Sequence, residues 1–308
     1  MNTTPSSLPS TPALGERALV LGGGGSAGNA WLIGVIAGLS DAGLDVTDAE
    51  LIIGTSAGST AAAQISGATP AELLADILSA APPQRTPQSG DDAGRAPRGS
   101  MADHLERLQR TIAAADDVAD LRRRMGAAAL AVDAASDDSW PARWRATVTA
   151  RLPGASWPDR AILITAVDAR TGEPVVFERR SGVDLVDAVA ASTSGGPSSY
   201  RIGDDRYIDG GYRANADNAD LAAGYGRVLV LSPLGGRSLH PAAWGTHLAV
   251  QVDELRAGGS RVETIFPNAG SLAAFGDSMM DPSTRPPAAR AGFDQGRAIA
   301  GQLGGFWR

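Results

Sequence analysis

The sequence predicts an α/β fold built around a mostly parallel sheet. Short apolar runs alternate with segments of helical periodicity along most of the 308 residues. The first two apolar runs are each followed by a glycine-rich turn and a helical pattern, and this strand–helix–strand–helix order is typical of parallel sheets. A hydrophobic content of 43% is enough for one large core.

The first predicted elements surround two glycine-containing turns. A strand over 17–21 is followed by the run Gly22 to Gly28 and by a helix over 29–42 whose small residues suit close packing. A second strand over 50–53 leads into 54–58, which reads Gly-Thr-Ser-Ala-Gly. A serine between two glycines at a strand end is typical of a sharp turn into a helix, so Ser56 is a candidate nucleophile.

A change of composition interrupts this order between residues 81 and 150. Residues 81–100 are rich in Pro, Gln, Gly, Asp and Arg, which predicts a flexible loop. Apolar residues then recur at helical spacing from Met101 to Ile112. We interpret 81–150 as a loop and helical insertion that either packs on the body of a 16–304 domain or covers its site as a lid. Residues 1–15, rich in Ser, Thr and Pro, predict a disordered tail.

Regular α/β signals resume after the insertion. We predict strands over 161–167 and 174–177, a helix over 184–191, and a hairpin around 203–205 whose second arm ends at Asp209-Gly210-Gly211. The remaining predicted elements are a helix over 217–223, a strand over 227–231, a long helix over 241–257, a strand over 261–266 and a terminal helix from about residue 288.

Composition excludes several kinds of chemistry. The chain has no cysteine, which removes thiol nucleophiles, disulfides and thiolate metal sites. It also has no lysine, so all 27 basic residues are arginine and Schiff-base chemistry is excluded. Its three histidines, His104, His240 and His247, lack the spacing of a metal site. We therefore expect neither a metal nor a cofactor.

Charge and hydropathy indicate where the chain works. The net charge of −7 and the dispersed arginines argue against a nucleic-acid surface, and the triplet Arg122 to Arg124 suits a solvated helix face. The N-terminus lacks the basic and apolar regions of a secretory signal, and no run of about 18 apolar residues is free of polar breaks. A soluble, cytoplasmic protein is expected.

Three features lie where acyl transfer needs them. The reaction requires a nucleophile, a base and donors for the oxyanion. Ser56 is a candidate for the first role, Asp209 at a strand end is a candidate for the second, and the amides of Gly23, Gly24, Gly25 and Ala57 are candidates for the third. A free aspartate has a pKa of about 3.9, so Asp209 needs burial to become an effective base.

With these residues in place, the chain resembles the patatin-like phospholipases. The resemblance rests on Leu21 to Gly25, on Gly28, Gly34 and Val35, on 54–58 and on 209–211. It implies a three-layer α/β/α fold, a Ser56 nucleophile, an Asp209 base without histidine, and a glycine-loop oxyanion hole. It also implies a serine acyl hydrolase of lipid esters, and we expect transient contact with a membrane surface.

One position departs from the pattern of that family. Ala27 stands where the family commonly has an arginine or lysine before the glycine that matches Gly28. An uncharged acyl ester therefore fits the sequence as well as a phospholipid does.

Three other interpretations remain open. A Ser-Asp-His triad would use Ser56 and Asp209 with His240 or His247, in the chain order of α/β-hydrolases. A dinucleotide-binding module would use Gly23, Gly25 and Gly28, although Gly54-Thr55-Ser56 replaces the expected ribose-binding acid. A non-catalytic binding protein of the same fold is the third, with Ala27 as its only sequence indication.

The sequence allows two interpretations of the role of several other residues. Asn215, Asp217 and Asn218 follow Asp209 closely and suit either helix capping or orientation of the site. Trp31 suits packing or substrate contact. Asp168 ends a predicted strand and either lines the cleft or pairs with Arg170.

Overall fold

The strands of the computed structural model form one mixed sheet with helices on both faces. The structure describes residues 15–80, 101–136 and 139–308, so the predicted tail and the predicted loop over 81–100 lie outside the described residues, apart from Gly15. The strands are β1 Gly15–Leu21, β2 Leu51–Gly54, β3 Ala161–Asp168, β4 Pro174–Phe177, β5 Tyr200–Ile202, β6 Asp205–Asp209, β7 Tyr225–Leu231 and β8 Arg261–Ile265.

The sheet is mostly parallel, as predicted. Its strand order is β5-β6-β3-β2-β1-β7-β8, with β4 also paired to β3. The central strands β3, β2, β1, β7 and β8 run parallel, whereas β4, β5 and β6 run antiparallel to their neighbours. The antiparallel strands all lie on the β3 side of the sheet.

Among the described residues, ten α-helices cover the two faces of the sheet. They are α1 Gly25–Asp41, α2 Ala57–Gly67, α3 Pro70–Ser79, α4 Met101–Ala114, α5 Val118–Ala134, α6 Trp140–Thr149, α7 Leu185–Ser192, α8 Leu248–Ala257, α9 Ala269–Phe275 and α10 Arg285–Trp307 among the described residues. Alternate residues of β1 face opposite sides: Leu19 packs in the core that contains α1, and Val20 packs in the core that contains α8. The fold is therefore a three-layer α/β/α sandwich.

The register of β3 brings two chain segments together. The last residue of β2, Gly54, lies opposite Ile164, and β3 continues for four residues beyond that point, to Asp168. Strand β6 runs back along this extension and ends with Asp209 opposite Ala166. The end of β6 therefore meets the end of β2 across β3.

The C-terminal helix fixes the position of α1. The two helices run parallel, and the backbone of Gly292 lies so close to α1 that a Cβ there would be 2.6 Å from the Trp31 carbonyl oxygen. The Ala27 amide also donates to the Met279 carbonyl oxygen at 2.9 Å. Because α1 follows the glycine loop directly, α10 and the residues before it support that loop.

Two predicted helices are wrong in extent. The helix predicted over 217–223 is one 3-10 turn, Ala219–Ala222, because Asn218 before it is left-handed with φ 53°. The long helix predicted over 241–257 is a 3-10 turn, Ala242–Trp244, followed by α8. Gly245 separates the two with φ +66°, a conformation that no α-helix continues.

The described part of the insertion packs mainly on the body of the protein. Ala129 of α5 lies in a small core with Val167 and Ile208, and Trp144 of α6 donates from its indole nitrogen to the Ala190 carbonyl of α7 at 3.1 Å. The alternative that 81–150 covers the site as a lid stays a prediction. No described helix combines the length and the apolarity that a membrane crossing requires.

Candidate active site

Ser56 occupies a strained turn between β2 and α2. Its φ of 51° and ψ of −115° lie in a region that side chains rarely adopt, and Asn218 is the only other non-glycine residue with positive φ among the described residues. Close approach explains the flanking glycines. A Cβ at Gly54 would lie 2.6 Å from the Ser59 Cα, and one at Gly58 would overlap the Leu21 carbonyl oxygen. Such a turn presents the serine hydroxyl at the strand end.

Hydrogen bonds on both sides hold the strained turn. The Ser56 amide donates to Ser192 Oγ at 2.9 Å, and the Ser59 hydroxyl donates to the Ser56 carbonyl at 2.7 Å. Ser192 is fully buried at the end of α7. No pattern in the sequence singled out Ser192, because its partner lies 136 residues away along the chain.

The Ser56 hydroxyl donates directly to Asp209. The distance from Ser56 Oγ to Asp209 Oδ2 is 2.9 Å, and the second carboxylate oxygen accepts from the Gly211 amide at 2.8 Å. Asp209 is only 8% exposed. Both oxygens are therefore engaged, one by the nucleophile and one by the backbone, so the carboxylate is fixed in a position to take the serine proton.

Neither described histidine ring lies between these two groups. Nδ1 of His240 is 2.9 Å from Thr246 Oγ1, and Nε2 of His247 is 2.9 Å from the His240 carbonyl oxygen. Both rings are thus engaged in the loop that leads to α8.

Burial changes the acidity of the candidate base. Removal from water raises the pKa of Asp209 to about 6, although the hydrogen bonds from Gly211 and Ser56 act to lower it. The carboxylate is therefore ionised at neutral pH and is a stronger base than a free aspartate. Burial thus supplies the rise in pKa that an aspartate needs to act as a base near neutral pH.

We expect the rate of ester hydrolysis to fall on the acid side with a midpoint near the pKa of Asp209, about 6. Below this pH the carboxyl group carries a proton and cannot accept another from Ser56, so kcat/KM decreases as pH falls. A pH–rate profile with an uncharged ester measures the midpoint, and circular dichroism at each pH confirms that the protein stays folded. A profile that stays flat to about pH 4 would contradict Asp209 as the base.

The glycine loop passes beside Ser56. A Cβ at Gly23 would lie 3.5 Å from the Ser56 Cβ. The Gly23 amide, however, already donates to the Ala216 carbonyl oxygen at 2.8 Å, so it is not a free donor, contrary to the sequence prediction. Pairing with the 216 backbone fixes the loop instead.

Three predicted oxyanion donors remain available. The amides of Gly24, Gly25 and Ala57 have no hydrogen-bond partner among the described residues. Gly25 is the first residue of α1 and Ala57 is the first residue of α2. The free amides thus belong to the N-terminal ends of two helices, where developing negative charge is favoured.

Three polar residues follow Asp209 closely: Asn215 caps a turn, whereas Asp217 and Asn218 are buried without a capping role. Asn215 caps the following turn, since its Oδ1 accepts from the amides of Asp217 at 2.7 Å and Asn218 at 2.8 Å. Asp217 is 2% exposed and lies against Gly22, and burial raises its pKa to about 7. The side chain of Asn218 makes no capping bond and points into the protein instead.

The structure also shows the contacts of Trp31 and Asp168, for each of which the sequence allowed two interpretations. Trp31 is fully buried and donates to Ser271 Oγ at 3.1 Å, which is a packing role. Asp168 Oδ1 accepts from the amides of Arg170 and Thr171 and closes a turn, while the nearest carboxylate to the Arg170 guanidinium is that of Asp205, at 3.8 Å. Among the described residues, no group of three or more acidic or histidine side chains is placed to hold a metal ion.

Comparison with known proteins identifies a family that matches this chain. A family profile described as patatin-like phospholipase matches residues 19–222, a span that contains both Ser56 and Asp209. Among solved structures, VipD from Legionella pneumophila is similar with 12% sequence identity, over 95% of this chain and 68% of that chain, at a TM-score of 0.43. A search of curated proteins finds no match.

Proposed function

The chain belongs to the patatin-like phospholipase family, and from this premise we propose that it hydrolyses carboxylic esters of lipids through a Ser56–Asp209 dyad. Family membership supports lipid ester hydrolysis in general. The single observation that supports the dyad is the 2.9 Å hydrogen bond from Ser56 Oγ to Asp209 Oδ2.

The first half of the reaction forms an acyl-enzyme. Ser56 Oγ attacks the ester carbonyl carbon while its proton passes to Asp209 Oδ2. The carbonyl oxygen becomes an oxyanion, which the free amides of Gly24, Gly25 and Ala57 stabilise at the two helix N-termini. The tetrahedral intermediate then expels the alcohol, which takes the proton from Asp209, and the acyl group remains on Ser56.

The second half releases the acid. A water molecule attacks the acyl-serine carbonyl, and Asp209 accepts a proton from it. Collapse of the second intermediate breaks the bond to Ser56 Oγ, which recovers the proton from Asp209. The products are the free fatty acid and the enzyme in its starting protonation state.

The substrate class of the proposal covers phospholipids and uncharged acyl esters. Ala27 replaces the basic residue that the family commonly has beside the glycine loop. An ester without a phosphate therefore fits the loop as well as a phospholipid does, and a phospholipase A, a lysophospholipase or a carboxylesterase all use the chemistry described above.

Labelling and a double histidine variant test this function together. We expect a fluorophosphonate to modify Ser56 and a His240→Ala, His247→Ala variant to hydrolyse p-nitrophenyl esters within about twofold of the native rate, because the dyad needs no imidazole. Peptide mapping by mass spectrometry locates the label.

Each rival has its own signature in the same experiments. Loss of hydrolysis in the double variant, with Ser56 still labelled, would indicate a Ser-Asp-His triad. Absence of labelling at Ser56 would indicate a non-catalytic binding protein. A rise in melting temperature with NAD or NADP would indicate a dinucleotide site at the glycine loop.

A further inference from the structure

A buried polar cluster lies beneath the dyad. It consists of Thr55, Thr165 and Asn218, and each of the three side chains is 0% exposed. Thr165 belongs to β3, the strand between β2 and β6, and its hydroxyl donates to Thr55 Oγ1 at 3.0 Å. Polar groups buried so completely are costly unless they are hydrogen-bonded to one another.

The side-chain amide of Asn218 joins the two catalytic segments. Its Nδ2 lies 3.0 Å from Thr55 Oγ1, 3.0 Å from the Gly210 carbonyl oxygen and 3.4 Å from Thr165 Oγ1. Thr55 immediately precedes Ser56, and Gly210 immediately follows Asp209. One amide group therefore contacts the neighbour of the nucleophile and the neighbour of the base.

The other side of Asn218 fixes the orientation of that amide. Its Oδ1 accepts from Arg213 Nη1 at 3.1 Å, and the same guanidinium is held by Asp220 at 2.9 and 2.8 Å. These partners leave one orientation of the amide. A flipped side chain would place its NH2 group against the Arg213 guanidinium and its oxygen against the Gly210 carbonyl oxygen.

The backbone of Asn218 is also constrained. It adopts a left-handed conformation with φ 53°, and its amide donates to Asn215 Oδ1 at 2.8 Å. Ser56 and Asn218 are the two non-glycine residues with positive φ among the described residues. Asparagine is one of the few residue types that adopt the left-handed conformation readily, so this position suits Asn218, and the fixed backbone directs its side chain toward the buried cluster.

We propose that Asn218 is a positioning residue that sets the distance between Ser56 Oγ and the Asp209 carboxylate. This inference rests on the proposed dyad. Asn218 does not touch the reacting atoms and acts through Thr55 and Gly210, whose positions determine those of the nucleophile and the base. A displacement of about 1 Å between reacting groups lowers a rate by about 100-fold.

Asn218→Ala tests the proposal by separating kcat from KM. We expect kcat for a p-nitrophenyl ester to fall by about 100-fold, with KM changed by less than about threefold, because the substrate site keeps its residues. The acid limb of the pH–rate profile should move to higher pH, because the hydrogen bond from Ser56 lowers the pKa of Asp209 and is weakened when the two groups separate. A purely structural role would not produce that shift.

Gln251→Ala is the matched control. Gln251 is a buried amide that binds the same loop, accepting from the Ala219 amide at 3.0 Å and donating to Asp220 at 2.8 Å, and these hydrogen bonds reach neither catalytic segment. It should lose stability, as Asn218→Ala does, but keep its kcat and its acid limb. Equal losses of kcat in the two variants would show that general loosening of the loop is the cause, and would overturn the proposal.

Asn218→Gly covers the case in which the alanine variant does not fold. Glycine adopts the left-handed conformation at φ 53° without strain and lacks the amide that donates to the Gly210 carbonyl, so the same loss of kcat is expected. Native kcat in a folded Asn218→Ala or Asn218→Gly variant would overturn the proposal. Failure of Ser56→Ala to abolish activity would instead overturn the proposed function, so the two failures are distinguishable.

Discussion

Replacement of Asp209 by asparagine should lower kcat for ester hydrolysis by about four orders of magnitude. The amide that replaces the carboxylate has the same size but cannot accept the Ser56 proton, so the nucleophile remains a weak neutral hydroxyl. KM should change little, since the side chain is buried beneath Ser56 and is only 8% exposed. Steady-state kinetics with a p-nitrophenyl ester and with a phospholipid measures both constants.

The same variant should be at least as stable as the native protein at pH 8. Burial raises the pKa of Asp209 to about 6, so the ionised carboxylate is less favourable in the folded state than in the unfolded state, and stability falls as pH rises through that range. Asparagine has no charge to bury. A melting temperature equal to or above the native value, measured by circular dichroism, then separates lost chemistry from lost folding.

Asp168→Asn is the control for this substitution. Asp168 lies at the end of β3, next to the strand that carries Asp209, and its carboxylate closes a turn that an asparagine also closes. The control should keep the native rate. Activity of Asp209→Asn within about tenfold of the native protein would contradict a catalytic base at this position.

Replacement of Gly58 by alanine should destabilise the fold by at least about 3 kcal/mol. The added Cβ would overlap the Leu21 carbonyl oxygen and lie 2.9 Å from the Gly22 carbonyl oxygen. Both belong to the end of β1 and the start of the glycine loop, and β1 pairs with strands on both sides, so neither atom has room to move. Urea unfolding gives the free energy directly.

Gly301→Ala gives the opposite result from the same chemical change. Gly301 lies on the exposed side of α10, and apart from the adjoining backbone of that helix no described atom lies within 4 Å of the position its Cβ would take. Alanine is the better helix former by up to about 1 kcal/mol, so this variant should be more stable than the native protein. If Gly58→Ala and Gly301→Ala had the same stability, the close approach of Gly58 to the Leu21 carbonyl would not explain why this position is glycine.

The parts of the site that local sequence predicts are those whose geometry is set within a few residues. A serine between two glycines after a short apolar strand predicts the turn at Ser56, and the end of a hairpin arm predicts the position of Asp209. Their meeting depends on the length of β3, which the apolar run over 161–167 indicates only approximately. The resemblance to a known family supplied the pairing that local pattern alone does not.

The supporting contacts were not predictable from local pattern. Ser192 and Thr165 are ordinary small residues in a helix and a strand, and their roles arise from partners more than 100 residues away. Asparagine is a residue type typical of helix caps. The side chain of Asn218 turns inward instead because three buried acceptors surround it. The Gly23 amide is engaged for the same reason, by a carbonyl from a distant loop.

The packing of α10 on α1 has a consequence for how the enzyme is made. The two helices are separated by more than 240 residues of chain, and the contact between the Ala27 amide and Met279 spans a similar distance. While the ribosome is still translating the segment before residue 279, the first helix lacks its contact with α10 and the Ala27 amide lacks its acceptor, although the Ala216 carbonyl that pairs with Gly23 has already been synthesised. The start of α1 therefore acquires the backbone acceptor of its Ala27 amide only after the segment that contains residue 279 has been synthesised and has docked.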